Sequence, residues 1–132
     1  MNLARKLASG AIAAGIAAAG LLAATPASAA SGGGCDPYSS SAGIKACISA
    51  SGSDVLPDFY ITVVPAHCQS AEFILWDLTA NTRVWSTGVA CKDMHGGPWH
   101  IHATSGHAYE SELDVEVGGE GALSSTSPIS YW

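Results

Sequence analysis

Positively charged residues are scarce in this chain. Its 132 residues contain 5 Lys and Arg against 11 Asp and Glu, a formal net charge of −6. Arg5 and Lys6 lie in a segment that we expect to be removed, which leaves 3 cations against 11 acids, or −8. A small domain with this charge repels phosphate backbones and anionic bilayers, which excludes nucleic acids and membrane surfaces as partners of the mature protein. Cationic proteins, divalent ions and neutral polymers remain open.

The chain also lacks the short motifs that accompany common catalytic sites. It contains no G-x-S-x-G nucleophile motif and no phosphate-binding glycine loop between a strand and a helix. The carboxylates from Glu110 to Glu116 have a spacing compatible with acid–base chemistry. They form one continuous stripe, however, so their pKa values have little reason to diverge. We therefore predict a protein that is not an enzyme and that has no cofactor, apart from the divalent metal considered below.

The first 29 residues have the pattern of a secretory signal peptide. Arg5 and Lys6 form a short basic region, and residues 7–24 are Ala, Gly, Leu and Ile with one interruption at Ser9. Ala27-Ser28-Ala29 then supplies the small residues that signal peptidase requires. We predict cleavage after residue 29 and secretion to the extracellular space, in a cell that the long Ala-rich peptide suggests is bacterial.

All four cysteines lie beyond this segment, at positions 35, 47, 68 and 91. An even number of cysteines in an exported chain predicts disulfides, because the compartment outside the cell is oxidising. Three pairings are possible. If Asp77 pairs with Thr82 across a tight hairpin, Cys68 and Cys91 face each other just beyond its open end. We therefore favour the pairs Cys35–Cys47 and Cys68–Cys91.

Apolar residues of the mature chain recur with period two, which is typical of half-buried strands. The predicted strands span residues 44–50, 58–64, 71–78, 82–89, 99–104, 108–117 and 122–131. We expect an all-β fold, a small antiparallel β-sandwich of about seven strands with two disulfides. Residues 30–43 are predicted to be a flexible leader tied down by a disulfide, and residues 44–132 to be one domain.

Aromatic residues are prominent in the first predicted hairpin. In a regular register, Ile74 and Trp76 share one face with Arg83 and Trp85. Core packing with Arg83 lying over Trp76 is one interpretation. The other is an exposed platform that binds sugar rings or a partner's loop, extended by Trp99. The candidate binding residues are therefore Trp76, Trp85 and Trp99.

The second predicted hairpin carries histidines opposite carboxylates. A three-residue turn at residues 105–107 places His102 opposite Glu110 and His100 opposite Glu112. Three interpretations stay open: a solvated outer face, a pH-responsive surface, and a divalent-metal site formed by these four residues.

The loop from Ala90 to Pro98 is anchored by Cys91 and contains Gly96 and Gly97. It would present Lys92 or Met94 to the specificity pocket of a protease. The sequence thus predicts a small secreted binding or interaction protein without catalysis, whose partner is an unknown protein or polysaccharide. An inhibitor of exported enzymes is one form of this prediction. The alternatives are a carbohydrate-binding module and a divalent-metal-binding protein.

Overall fold

The computed structural model describes residues 30–37, 43–119 and 121–132, so the predicted signal peptide lies outside the described residues. Within these ranges the chain forms eleven β-strands in two antiparallel sheets, which confirms the predicted all-β fold. No helix of the described residues is long and apolar enough to span a membrane. The strands are β1 (Ser31–Gly32), β2 (Gly34–Cys35), β3 (Ile44–Ser51), β4 (Asp54–Ile61), β5 (Cys68–Asp77), β6 (Thr82–Val89), β7 (Met94–Gly96), β8 (Ile101–His102), β9 (Ala108–Val117), β10 (Gly121–Thr126) and β11 (Ser130–Tyr131).

The strands are divided between a six-stranded and a five-stranded sheet. The six-stranded sheet has the order β1-β11-β9-β5-β6, and β10 also pairs with β9. The five-stranded sheet has the order β2-β3-β4-β7, and β8 also pairs with β4. The last predicted strand is thus two strands, β10 and β11, separated at Pro128 and both paired with β9.

The core lies between the sheets and follows the alternation of the sequence. Strand β9 buries Tyr109, Ser111, Leu113, Val115 and Val117 and leaves the carboxylates between them on its outer side, as predicted. The facing strands β3 and β4 bury apolar residues at every second position along most of their length. Removing these side chains from water is the main favourable term in folding.

The leader contributes a strand to each sheet. Strand β1 pairs with β11 in the six-stranded sheet, and β2 pairs with β3 in the five-stranded sheet. The buried carboxylate of Asp36 accepts hydrogen bonds from the Ser125 hydroxyl at 2.9 Å and from the Thr126 amide at 3.2 Å. The predicted flexible leader is therefore integrated into the sandwich at residues 31–36.

Both predicted disulfides are present. Cys35 and Cys47 are directly paired residues of β2 and β3. Cys68 and Cys91 join the start of β5 to the segment that follows β6, with their Cα atoms 5.9 Å apart. No described cysteine is free.

Strand β4 begins earlier than predicted. The sequence placed the strand after Pro57, but β4 runs through this proline and pairs Pro57 with Ile48. The Pro57 carbonyl accepts a hydrogen bond from the Trp99 amide, so the backbone polar groups of this residue point away from β3. The missing N–H therefore costs no bond between β3 and β4, which explains why a proline is tolerated here.

A β-bulge changes which side chains of β6 face the core. Asp77 pairs with Thr82 and Trp76 with Arg83, as predicted, but Leu75 then pairs with Trp85. Val84 is the extra residue and is exposed. A bulge moves every residue beyond it to the other face. The prediction that Trp85 shares a face with Ile74, Trp76 and Arg83 is therefore wrong.

The predicted second hairpin is also wrong. Strand β8 pairs with β4, through Asp54 with His102 and Val55 with Ile101. Residues 103–107 consequently cross from the five-stranded to the six-stranded sheet and do not connect neighbouring strands. Strand β9 has no free edge for β8, because it pairs with β5 on one side and with β10 and β11 on the other. Ile101 packs into the core from the five-stranded sheet, and Ala103 is buried in the same cluster.

Four aromatic rings fill the space between the two sheets near β6 and β7. Trp85 lies 4.7 Å from Trp99 between ring centroids, and Phe73 contacts both tryptophans. Phe59 stacks on Trp99 at 6.0 Å. Gly96 is buried against the Phe59 ring, where an added methyl group would overlap the ring atoms. The cluster therefore requires glycine at this position.

We expect Gly96→Ala to lower the free energy of unfolding by about 1–3 kcal/mol, because the new methyl group forces the buried Phe59 ring to move. Urea titration followed by tryptophan fluorescence measures the change. Gly88→Ala is the matched control, since a methyl group there meets no atom within 4 Å. Equal stabilities of the two variants would contradict the packing described.

Candidate functional site

The outer surface of the six-stranded sheet carries half of the Asp and Glu side chains of the described chain. Strands β5 and β9 place five carboxylates there, and Arg83 is the one Lys or Arg on β5, β6, β9 and β10. This surface, which we call the acidic face, has a formal charge of −4. Its acidic residues are Glu72, Glu110, Glu112, Asp114 and Glu116. The four carboxylates of β9 share a side because residues at every second position of a strand point the same way. Their paired residues on β5 and β10 lie on that side too.

Hydrogen bonds hold part of the acidic face in place. The Trp76 indole nitrogen donates to Glu112 at 2.7 Å, and the Ser124 hydroxyl donates to the same carboxylate at 3.1 Å. Arg83 forms an ion pair with Glu72 at 2.8 Å and lies over the Trp76 ring at 5.8 Å. The predicted contact between Arg83 and Trp76 is thus present, on the outer surface.

An open groove of about 820 Å³ lies at one end of the acidic face. Glu72, Asp114 and Glu116 line it together with residues at the ends of β5, β6, β9 and β10. Four of the lining residues are glycines, so backbone groups as well as carboxylates face the opening. The lining residues are Gln69, Ser70, Ala71, Glu72, Gly88, Asp114, Glu116, Val117, Gly118, Gly119, Gly121 and Ala122.

The charges on this face act on one another. Partial burial raises the pKa of the Glu110 carboxyl, and repulsion from Glu112 raises it further. Both effects favour the neutral acid. A positive partner placed against this face would relieve that repulsion.

The outer surface of the five-stranded sheet carries three exposed imidazoles and is called the histidine face here. His95 Nε2 lies 3.1 Å from an Asp58 oxygen, and the His95 ring stacks on Tyr60 with centroids 4.2 Å apart. Asp54 lies between two imidazoles, with its oxygens 3.2 Å from His100 Nδ1 and 3.7 Å from His102 Nδ1.

The structure does not bring the predicted metal ligands together. His100 and His102 belong to the five-stranded sheet and contact Asp54, whereas Glu110 and Glu112 lie on the acidic face of the other sheet. Across the three described ranges, no group of three or more His, Cys, Asp or Glu side chains is arranged to hold a metal ion. The prediction failed because it depended on a hairpin between β8 and β9 that does not form.

The three predicted binding tryptophans are also separated. Trp85 and Trp99 pack together between the sheets, while Trp76 lies half-buried on the acidic face. They form no common platform. In the predicted loop, Lys92 is exposed, whereas Met94 is half-buried and packs against the core. Only Lys92 of this pair is readily available to a partner.

Asp77 and the two aspartates of the histidine face were not predicted from the sequence as site residues. Asp77 is buried at the end of β5, and its carboxylate contacts His107 Nδ1 at 2.6 Å and accepts the Ala80 amide at 2.9 Å. Asp54 and Asp58 share the outer side of β4, but Pro57 concealed this alternation. No pattern in the sequence links Asp77 to His107, which is 30 residues away.

The pKa of Asp77 is lowered. Burial acts to raise it, but the hydrogen bond from Ala80 and the contact with His107 outweigh burial. Since the folded-state pKa lies below the unfolded value, ionised Asp77 stabilises the fold above about pH 4, and this contribution is lost as the pH falls further. The pair joins the β5–β6 turn to the segment that precedes β9.

We expect Asp77→Asn to lower the free energy of unfolding at neutral pH by about 1–3 kcal/mol, because it weakens a buried charged hydrogen bond. The difference from the wild type should shrink as the pH falls below about 4, because the native carboxyl then progressively takes up a proton. Urea unfolding across this range measures both effects. Asp58→Asn, at the more exposed contact with His95, is the control. A loss that does not depend on pH would show that the charge of Asp77 is irrelevant.

The chain matches no protein-family model, no curated protein and no solved structure. Its functional interpretation therefore rests on the geometry and charge described above.

Proposed function

We propose that this chain is an exported, non-catalytic binding protein whose acidic face accepts a positively charged segment of a partner protein. The observation that carries the proposal is the groove of about 820 Å³ lined by Glu72, Asp114 and Glu116. A concave surface with charge of one sign concentrates oppositely charged groups and steers their approach.

The form of the groove favours binding over catalysis. It is open to solvent at one end of a sheet surface, whereas catalytic groups act most strongly where water is excluded. An extended Lys- or Arg-containing segment fits such a surface, because its charges can reach carboxylates on neighbouring strands.

Two features support a location outside the cell. The first 29 residues have the pattern of an export signal, and the disulfides Cys35–Cys47 and Cys68–Cys91 persist best in an oxidising compartment. That the chain inhibits an exported protease stays a prediction. It now depends on Lys92, because Met94 packs against the core. The separated tryptophans no longer support a three-ring sugar platform, and the separated histidines and glutamates no longer support a metal site.

Deca-lysine is a direct probe of the acidic face. In calorimetry at about pH 7.5 and low salt, we expect the wild type to bind it, and Asp114→Asn/Glu116→Gln to bind about fivefold more weakly, since each removed charge contributes up to about 1 kcal/mol. Salt at about 0.5 M should abolish the binding, because it screens exposed charges.

The matched control is Asp54→Asn/Asp58→Asn, which removes the same number of charges from the histidine face. Its affinity for deca-lysine should stay close to that of the wild type. An equal loss in both double variants would mean that binding follows net charge and not the acidic face, which would refute the proposal. Absence of binding by the wild type would refute it as well.

A further inference from the structure

The two outer surfaces of the sandwich respond differently to mild acid. All three imidazoles of the histidine face are exposed, with side-chain exposures of 43% for His95, 64% for His100 and 78% for His102. Imidazole side chains change charge between about pH 5 and 8, whereas most carboxylates stay ionised down to about pH 4. The strands of the acidic face contain no histidine.

The charges of the histidine face can be counted from its strands. Lys45 on β3 and the aspartates Asp54 and Asp58 on β4 give a formal charge of −1 when the imidazoles are neutral. Tyr60, which stacks on His95, adds no formal charge to this count. Protonation of His95, His100 and His102 adds three charges and makes this surface +2.

The acidic face keeps its negative sign under the same conditions. Its formal charge is −4 with all five carboxylates ionised, and it stays negative if Glu110, whose pKa is raised, takes up a proton. In mild acid the molecule therefore has a positive surface on one sheet and a negative surface on the other. These surfaces are complementary between two copies of the chain.

We propose that this protein self-associates in mild acid, with the histidine face of one copy seated on the acidic face of the next. The inference rests on the proposed function, because it assigns a second copy as one positively charged partner of the acidic face. The contact is heterologous, so each added copy leaves one face of each kind free. The product is a chain of copies and not a closed dimer.

Net charge favours the same transition. Without Arg5 and Lys6 the chain carries −8, and protonation of its five histidines reduces this to −3. Repulsion between copies therefore falls as the complementary surfaces develop. Above neutral pH both faces are negative and the copies repel one another.

Sedimentation velocity of the exported chain tests the inference. At low salt we expect a monomer at about pH 7.5 and larger species at about pH 5.5, since imidazole side chains in general change charge over this interval. The weight-average mass should at least about double and should keep rising with concentration, as an open chain requires. Salt at about 0.5 M should restore the monomer.

Three variants separate this contact from general precipitation. The triple variant His95→Gln, His100→Gln, His102→Gln should stay monomeric at about pH 5.5, because it gains no positive face. The control His67→Asn removes an imidazole elsewhere and should assemble like the wild type; Asn tolerates the positive φ of 60° at this position. The third variant, Asp114→Asn/Glu116→Gln, moves the net charge towards zero. We expect this variant to assemble less than the wild type, because its acidic face has lost two charges. Non-specific precipitation would instead increase, because it is favoured near the isoelectric point.

Three results would overturn the inference: a wild type that is monomeric at both pH values, assembly that persists in the triple histidine variant, or stronger assembly of the Asp114→Asn/Glu116→Gln variant. Deca-lysine binding at neutral pH reports on the acidic face alone. A wild type that binds deca-lysine but does not assemble in acid would therefore reject self-association and leave the proposed function intact.

Discussion

The position of Trp85 between the two sheets is the constraint on which the rest of the structure depends. The extra residue Val84 turns Trp85 towards the interior, where it packs against Trp99 and Phe73. Without this bulge the indole would lie beside Arg83 on the outer surface, and the space between the sheets would lose one of its largest apolar groups. Burying the Trp85 indole stabilises the fold by more than one exposed contact with Arg83 would. Packing in the interior therefore determines the register of β6.

The same arrangement separates the chemistry of the two outer surfaces. With Trp85 in the interior, the six-stranded sheet presents carboxylates and a groove, and Trp76 is its one outward tryptophan. Trp99 holds the segment before β8 against β4, because its backbone amide donates a hydrogen bond to the Pro57 carbonyl and its ring contacts Phe59. This placement brings the histidines to the five-stranded sheet beside aspartates. Interior packing therefore sets the surface charge pattern from which the binding function is proposed.

Local patterns were sufficient to predict part of this structure. The alternation from Tyr109 to Val117 predicted both sides of β9, and the turn that pairs Asp77 with Thr82 led to the correct disulfides. The bulge at Val84 could not be predicted, because both registers of β6 place apolar residues on each face and only the opposing sheet distinguishes them. The partner of β8 was missed for a similar reason. Pairing with β9 or with β4 satisfies the same local alternation, but both edges of β9 are occupied, by β5 on one side and by β10 and β11 on the other.

The central claim is that the bulged register places Trp85 and Trp99 against each other inside the sandwich. Nuclear Overhauser effects between aromatic protons test it most directly, because they report proton pairs within about 5 Å, the scale on which aromatic rings pack. The account predicts cross-peaks from the Trp85 ring to Trp99 and Phe73, and from Trp99 to Phe59. Cross-peaks from Trp85 to the side chains of Trp76 and Arg83, with none to Trp99, would show the regular register and contradict the account.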